Sequence, residues 1–174
     1  IHPIRTFRVA PGPDDNVESV VNRIGCFLPA NFIALPDPTG DHALVAGFDH
    51  AGWTSTDYVL PRLASGGIFP TEPGDAENRY DIVLNLFHEG YQAMADDLDD
   101  EDFPSDAFEG RIDCVSFALT HFALLAQVDL GQAFRHGGDF YLTRNGHGAG
   151  FWDRRYGNVG THLSKAAKIY GSTS

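Results

Sequence analysis

One segment, residues 112–128, is apolar on nearly every side when drawn as a helix, and it constrains the fold more than any other part of the chain. A helix of this kind is stable in water only when other elements cover it all round. The segment therefore predicts a central buried helix, with Asp113 near its beginning. Cys114 and His121 lie within it, and we expect a buried free thiol and a core imidazole with satisfied hydrogen bonds.

Helical periodicity recurs in five other segments, which we expect to pack around that central helix. Each shows apolar residues at intervals of three and four, the spacing that places them on one helical face. The predicted helices begin near Asp14 or Asp15 and near Thr54, and cover residues 75–97, 129–135 and 159–170. Cys26 lies within the first apolar helical pattern and is expected, like Cys114, to be a buried free thiol.

Short runs bounded by Gly, Pro and Asp predict the strands. They cover residues 6–10, 31–35, 43–48, 139–143 and 151–152. The Pro- and Gly-containing turn at residues 36–41 joins the second and third of them as a hairpin. Together these elements predict an α+β fold, in which a small mixed or antiparallel sheet packs with about five helices.

The length of 174 residues predicts a single compact protein. A connector containing Pro, Gly and Glu at residues 68–76 is the best candidate for a boundary between two halves. Residues 1–70 would then form an N-terminal α/β segment. Residues 75–174 would form a helical segment that ends in a C-terminal hairpin.

The chain is strongly acidic, with a formal net charge of −12. Nucleic acid is not an expected partner, because phosphate binding needs clustered Lys and Arg. Neither a membrane span nor a secretory signal is expected, since no long apolar run and no basic segment before an apolar stretch is present. A block of carboxylates predicts either a solvated loop or a contact surface for a basic partner. This acidic surface comprises Asp96, Asp97, Asp99, Asp100, Glu101 and Asp102.

The segment at residues 143–155 has the most distinctive pattern of polar residues and glycines. Three glycines within five residues allow positive φ angles around a single imidazole, that of His147. Two interpretations stay open, a structural hairpin and a binding loop. As a binding loop it would use Arg144, Asn145, His147, Trp152, Asp153 and Arg154.

The run DFYL at residues 139–142, followed by TRNGHGAGFWDR at 143–154, resembles a segment found in many small bacteriophage proteins of unassigned function. Residues 27–31 and 51–66 are similar to a second segment common in phage proteins. The resemblance covers about half of the chain. It implies a phage or prophage product that acts in the host cytoplasm, and it implies no particular chemistry.

A second resemblance suggests an enzyme. Cys114 near the start of an apolar helix, with His147 in a later strand-loop-strand unit, is similar in outline to cysteine peptidases of the NlpC/P60 type. In that arrangement a helix N-terminus lowers the thiol pKa and the imidazole deprotonates the thiol. Asp153 would orient the imidazole as the third member of the triad. Phe117, where a small residue is expected, and the short spacing to His147 depart from that pattern.

No metal or cofactor is expected from the sequence. The pair His88-Glu89 lacks the second His of a zinc-binding helix. The glycines at 146, 148 and 150 lead into Phe151-Trp152 instead of a helix, unlike a dinucleotide fingerprint. The leading hypothesis is therefore a phage accessory protein that binds a host protein in host takeover or counter-defence. The Cys/His hydrolase is the alternative, and a virion component ranks below both; the oligomeric state stays open.

Overall fold

The structure of the chain is a computed structural model, and it describes residues 4–26, 28, 32–38, 40–48, 69–70, 75–98, 108–147 and 149–172. The helix predicted near Thr54, most of the 68–76 connector, and residues 99–102 of the acidic surface lie outside the described residues. By the packing of its Cα atoms the chain divides into two compact units. They are Ile1–Ile82 and Val83–Ser174, called here unit 1 and unit 2.

The predicted α+β class is confirmed. The strands in the described residues are β1 (Ile4–Ala10), β2 (Phe32–Pro36), β3 (Ala43–Phe48) and β4 (Phe69–Pro70). They form one antiparallel sheet in the order β2-β3-β1-β4, all within unit 1. The three strands predicted in the first half of the chain are confirmed, with bounds that agree within two residues.

The β2–β3 hairpin is fixed by its turn as well as by its strands. The Asp37 amide donates to the carbonyl of His42 at 2.9 Å and closes the turn. The buried Asp37 carboxylate accepts a hydrogen bond from the Tyr80 hydroxyl at 2.7 Å and lies 3.3 Å from Nε of Arg8. A carboxylate satisfied in this way holds the turn to the rest of unit 1.

The first helix, α1 (Val17–Gly25), begins where Asn16 caps it. Asn16 Oδ1 accepts from the Ser19 amide at 2.8 Å, and Ser19 Oγ accepts from the Asn16 amide at 3.1 Å. This reciprocal capping box satisfies two amides that a helix start leaves without partners. The core of the sheet and α1 comprises Val9, Val20, Ile24, Phe32, Ala43 and Val45.

The long helix α2 (Asp75–Leu98) agrees with its prediction and contains the division between the units at Ile82 and Val83. Its buried residues recur at helical spacing, as the sequence pattern requires. The apolar ones among the described residues are Tyr80, Val83, Leu84, Phe87, Tyr91 and Ala95, and His88 is buried beside them.

The predicted central helix is two helices, so the prediction of one continuous helix was wrong. They are α3 (Phe108–Thr120) and α4 (Phe122–Val128), which meet at a bend of 73° where His121 leaves the helical conformation. No single helix among the described residues is long and apolar enough to cross a membrane. The bent pair reaches that length and hydropathy only when 110–120 and Phe122–Val128 are counted together.

The predicted C-terminal hairpin was also wrong. A single helix, α5 (Ala133–Arg144), replaces the short helix, the glycine stop and the strand at 139–143. Short 3-10 turns occur at Leu130–Gln132 and Phe151–Asp153, the second in place of the last predicted strand. The sequence misled because Gly137 and Gly138 lie inside the helix, where they make close contacts with α2.

The last helix, α6 (Asn158–Ile169), confirms its prediction and ends before Gly171, whose φ is +72°. Aromatic rings fill the core of unit 2. Phe117 of α3 stacks on Phe140 of α5 at 4.3 Å between ring centroids, and on Phe151 at 5.6 Å. The core therefore joins α3 and α5 to the 3-10 turn that carries Trp152.

Candidate functional site

The residues predicted as a catalytic triad do not form one. Cys114 lies in the middle of α3, not at its N-terminus, and is 1% exposed. His147 is exposed beyond the end of α5, where its ring stacks on Tyr141 at 6.0 Å. Asp153 is exposed in the second 3-10 turn. Across the described residues, no hydrogen bond joins any two of these three side chains.

The Cys114 thiol also has the wrong electrostatics for a nucleophile. Its burial raises the pKa well above the ordinary value, despite the nearby Arg144 guanidinium, which acts in the opposite direction. The thiolate is the reactive form, so Cys114 is inert near neutral pH. Position, burial and pKa thus all depart from the premises of the hydrolase hypothesis. The predicted buried thiol is confirmed for Cys114, but Cys26 is exposed, so the prediction for Cys26 was wrong.

The two thiols are expected to differ sharply in alkylation. In native protein at about pH 8, near the ordinary thiol pKa, iodoacetamide should add one carbamidomethyl group, at Cys26. In denaturant it should add two. Intact mass and peptide mapping measure this, and Cys26→Ser is the matched variant with no native labelling expected. Rapid native labelling of Cys114 would contradict its burial and revive the hydrolase hypothesis.

Arg144, predicted to bind a partner, is a buried structural residue. Its Nη1 donates to the Asp113 carboxylate at 2.8 Å and to the Tyr91 hydroxyl at 3.3 Å. Its Nε and Nη2 donate to the backbone carbonyls of Gly171 and Tyr170, at 2.8 and 3.0 Å. The guanidinium therefore links α2, α3 and α5 to the end of α6, and its donors are engaged within unit 2.

Arg154 is likewise occupied inside the protein. Its Nε lies 3.1 Å from both oxygens of Asp139, and its Nη2 donates to Oδ1 at 2.8 Å. The Asp139 side chain is 1% exposed, whereas that of Arg154 is 26% exposed. This two-pronged ion pair is the strong geometry for Arg and carboxylate. It anchors the turn at Phe151–Asp153 to α5.

Asn145 and the glycines shape the loop between α5 and the second 3-10 turn. Asn145 Nδ2 donates to the Tyr141 carbonyl at 2.9 Å, and its Oδ1 accepts from the Ser172 hydroxyl at 3.2 Å. Gly150 has φ of +149°, and a Cβ there would lie 2.2 Å from Thr143 Oγ1. The same Thr143 oxygen accepts from the Phe151 amide at 3.2 Å. The loop is therefore a turn that is fixed by hydrogen bonds and whose conformation requires Gly at position 150.

The exposed part of the segment is small and defined, and we call it the Trp152 turn (Trp152, Asp153 and Arg155). Trp152 is 56% exposed, although Phe151 beside it is fully buried. Arg155 is exposed and has φ of +62°, a left-handed conformation that is uncommon for a residue other than Gly, Asn or Asp. Of the six predicted binding residues, Arg144, Asn145 and Arg154 therefore make hydrogen bonds within the protein. The other three, His147, Trp152 and Asp153, are exposed.

The acidic surface is described only at its start. Asp96 and Asp97 are exposed in the last turns of α2, and Asp96 accepts a hydrogen bond from Gln92 at 3.1 Å. Where the side chains are described, no group of three or more His, Cys, Asp or Glu residues is placed to hold a metal ion.

Sequence reasoning missed a concave feature of unit 2. The predicted core imidazole of His121 instead lies half-buried at the α3–α4 bend and lines a cavity with His162 and Lys165. The signal that could have found it is a polar His inside an apolar helix, since such a residue marks a break or a site. Comparison with protein-family models, curated proteins and solved structures found no significant match to this chain.

Proposed function

We propose that the chain is a bacteriophage-encoded accessory protein that acts in the host cytoplasm by binding a host protein, in host takeover or counter-defence. One observation carries the proposal: Trp152 is 56% exposed on a turn whose neighbours are fixed. Trp is among the side chains that most often dominate protein–protein binding energy. The resemblance of residues 143–154 to a segment of phage proteins supports the origin.

The residues around the Trp152 turn favour binding because they already fix the conformation of its backbone. Phe151 is buried in the aromatic core, and the Arg154–Asp139 ion pair holds the turn from the other side. Arg155 is kept at a positive φ that costs about 1–3 kcal/mol in a non-Gly residue. Because the backbone of the turn is already held in place, binding through Trp152 would cost little backbone entropy.

Charge indicates the kind of partner. The net charge of −12, with exposed Asp96 and Asp97 on α2, favours a partner with a basic surface. Opposite charges steer such a partner to the protein and raise the association rate. The hydrolase alternative is not carried forward, because no observation on Cys114 favours it.

Replacing Trp152 by Ala is expected to weaken capture of the host partner by about 2 kcal/mol or more, roughly thirtyfold in Kd. The measurement is affinity capture from bacterial lysate, followed by direct titration of the purified captured protein. Phe134→Ala is the matched control, since Phe134 is a 51% exposed aromatic on α5. Thermal melting checks that both variants fold.

The salt dependence tests the electrostatic part. Binding should weaken from about 0.1 to 1 M salt, because the Debye length shortens from about 10 to about 3 Å. A partner that binds Trp152→Ala and wild-type protein equally well would sink the proposal. Salt-independent binding would remove the role of the acidic residues while leaving that of Trp152.

A further inference from the structure

Unit 2 contains a cavity of about 360 Å³, and none of the residues of the Trp152 turn lines it. It is lined by His121, His162, Lys165, Ala166, Ile169 and Tyr170. Its volume falls in the range of small-molecule sites, which is about 300–1,000 Å³. His121 comes from the α3–α4 bend, and the other lining residues come from α6 and the residue that follows it.

The polar side of the cavity is basic. It brings together two imidazoles and one ammonium group, and the lining includes no carboxylate among the described residues. That composition stands out in a chain of net charge −12 that contains only two lysines, Lys165 and Lys168. One ammonium group and two imidazole donors, with no carboxylate beside them in the lining, favour an anionic ligand.

The ring nitrogens of the two imidazoles are available for hydrogen bonds to a ligand. Their centroids are 6.1 Å apart with the rings at 65°, and the His121 ring packs against Phe117 at 4.8 Å. Within the described part of the chain, neither imidazole takes part in a hydrogen bond. Each can therefore donate to a ligand that enters the cavity.

The other side of the cavity is apolar. Ala166, Ile169 and the ring of Tyr170 line it, and Ile169 is 85% exposed at this surface. The Tyr170 hydroxyl is already engaged with Ser116 Oγ at 2.9 Å, so its ring is held in place as a wall. A ligand that satisfies both sides has an apolar body and an anionic head.

We propose that this cavity binds a small organic carboxylate, with its apolar body against Ile169 and Tyr170 and its carboxylate beside His121, His162 and Lys165. A divalent metal fits less well, because the Lys165 ammonium repels it and only two imidazoles are present. The site is independent of host-protein binding, so Trp152→Ala leaves it intact.

The two lysines allow a direct test with 2-naphthoate as the probe. Reductive methylation with ¹³C-formaldehyde labels both lysine amines as well as the α-amino group, and it keeps their charge. The dimethyl signal of Lys165 should shift on titration with 2-naphthoate, whereas that of Lys168 should not. The neutral analogue 2-naphthalenemethanol and inorganic phosphate should each bind at least tenfold more weakly, since each lacks one half of the ligand.

Variants then assign the contacts. Lys165→Gln and His162→Gln should each raise the Kd for 2-naphthoate about tenfold, the loss expected for a charge-assisted hydrogen bond. Lys168→Gln is the matched control, because it removes an exposed lysine of the same helix that does not line the cavity. Its Kd should equal that of the wild type.

Affinity should rise as the pH falls from about 8 to 5.5, a range that stays above the ordinary carboxylate pKa. Burial, and to a lesser degree the charge of His162, lower the pKa of His121 from its ordinary value, so this imidazole takes up its proton at a lower pH than a free imidazole does. The ionisable groups that face it are His162, Lys165 and Tyr170, and α4 has none.

Three results would overturn the proposal. The first is an unmoved Lys165 signal at saturating 2-naphthoate, which would show that the site does not bind this class. The second is equal affinity for 2-naphthalenemethanol, which would show that charge plays no part. The third is a Kd that Lys165→Gln and Lys168→Gln change alike.

Discussion

Replacing Arg144 by Met is expected to lower the free energy of unfolding by about 3 kcal/mol, because a partly buried ion pair and two hydrogen bonds to backbone carbonyls are lost together. The loss has two sources. The Asp113 carboxylate, 27% exposed, loses its cation, and the carbonyls of Tyr170 and Gly171 lose their donors. Denaturant unfolding followed by circular dichroism measures the change.

Arg155→Met is the matched control, because Arg155 is exposed on the same segment. It should change the unfolding free energy by no more than about 0.5 kcal/mol. Arg144→Lys keeps the charge but loses the planar fork, so it should still lose about 2 kcal/mol. An Arg144→Met protein as stable as the wild type would contradict the structural role and return Arg144 to the candidate binding residues.

The polar residues at 143–155 show why residue type alone could not sort the site. In the sequence, Arg144, Arg154 and Trp152 belong to one polar loop, and nothing local separates them. Burial depends on helix extent: once α5 continues to Arg144, that side chain is carried into the core of unit 2. Arg154 is fixed by Asp139, a partner fifteen residues earlier in the chain.

The described strands and first helix of unit 1 were predicted more accurately because their signals are local. The cap at Asn16, the apolar stripe of α1 and the turn between β2 and β3 each lie within a few residues. Such features are determined by side chains acting on their own backbone. The strand bounds there agree with the structure within two residues.

The misread elements depend on tertiary contacts instead. The helix is interrupted at His121, although the apolar segment contains no Pro or Gly that would predict an interruption. The cavity beside it needs α6 to bring His162 and Lys165 to that bend, and no sequence spacing predicts this packing. Gly137 and Gly138, of a type that usually ends a helix, instead lie inside one, and glycine is required at position 137.

That requirement is geometric and lies within unit 2. A Cβ on Gly137 of α5 would lie 1.8 Å from the backbone oxygen of Phe87 on α2. A Cβ on Gly90 of α2 would lie 1.7 Å from the backbone oxygen of Phe134 on α5. The two backbones thus approach through reciprocal glycines, and the atoms met are backbone atoms that cannot turn aside.

Gly137→Ala and Gly90→Ala are each expected to destabilise the protein by about 3 kcal/mol, the upper part of the usual range for overpacking, because the helices must separate. The chain supplies the opposite case as a control. Gly25 ends α1, and nothing lies within 4 Å of the position that a Cβ would take there, so Gly25→Ala should stabilise by about 0.5–1 kcal/mol. Thermal melting of the three variants measures these changes. Intrinsic helix propensity favours Ala at all three positions. A stability loss at Gly137 and Gly90 with a gain at Gly25 would therefore result from the backbone contact between α2 and α5.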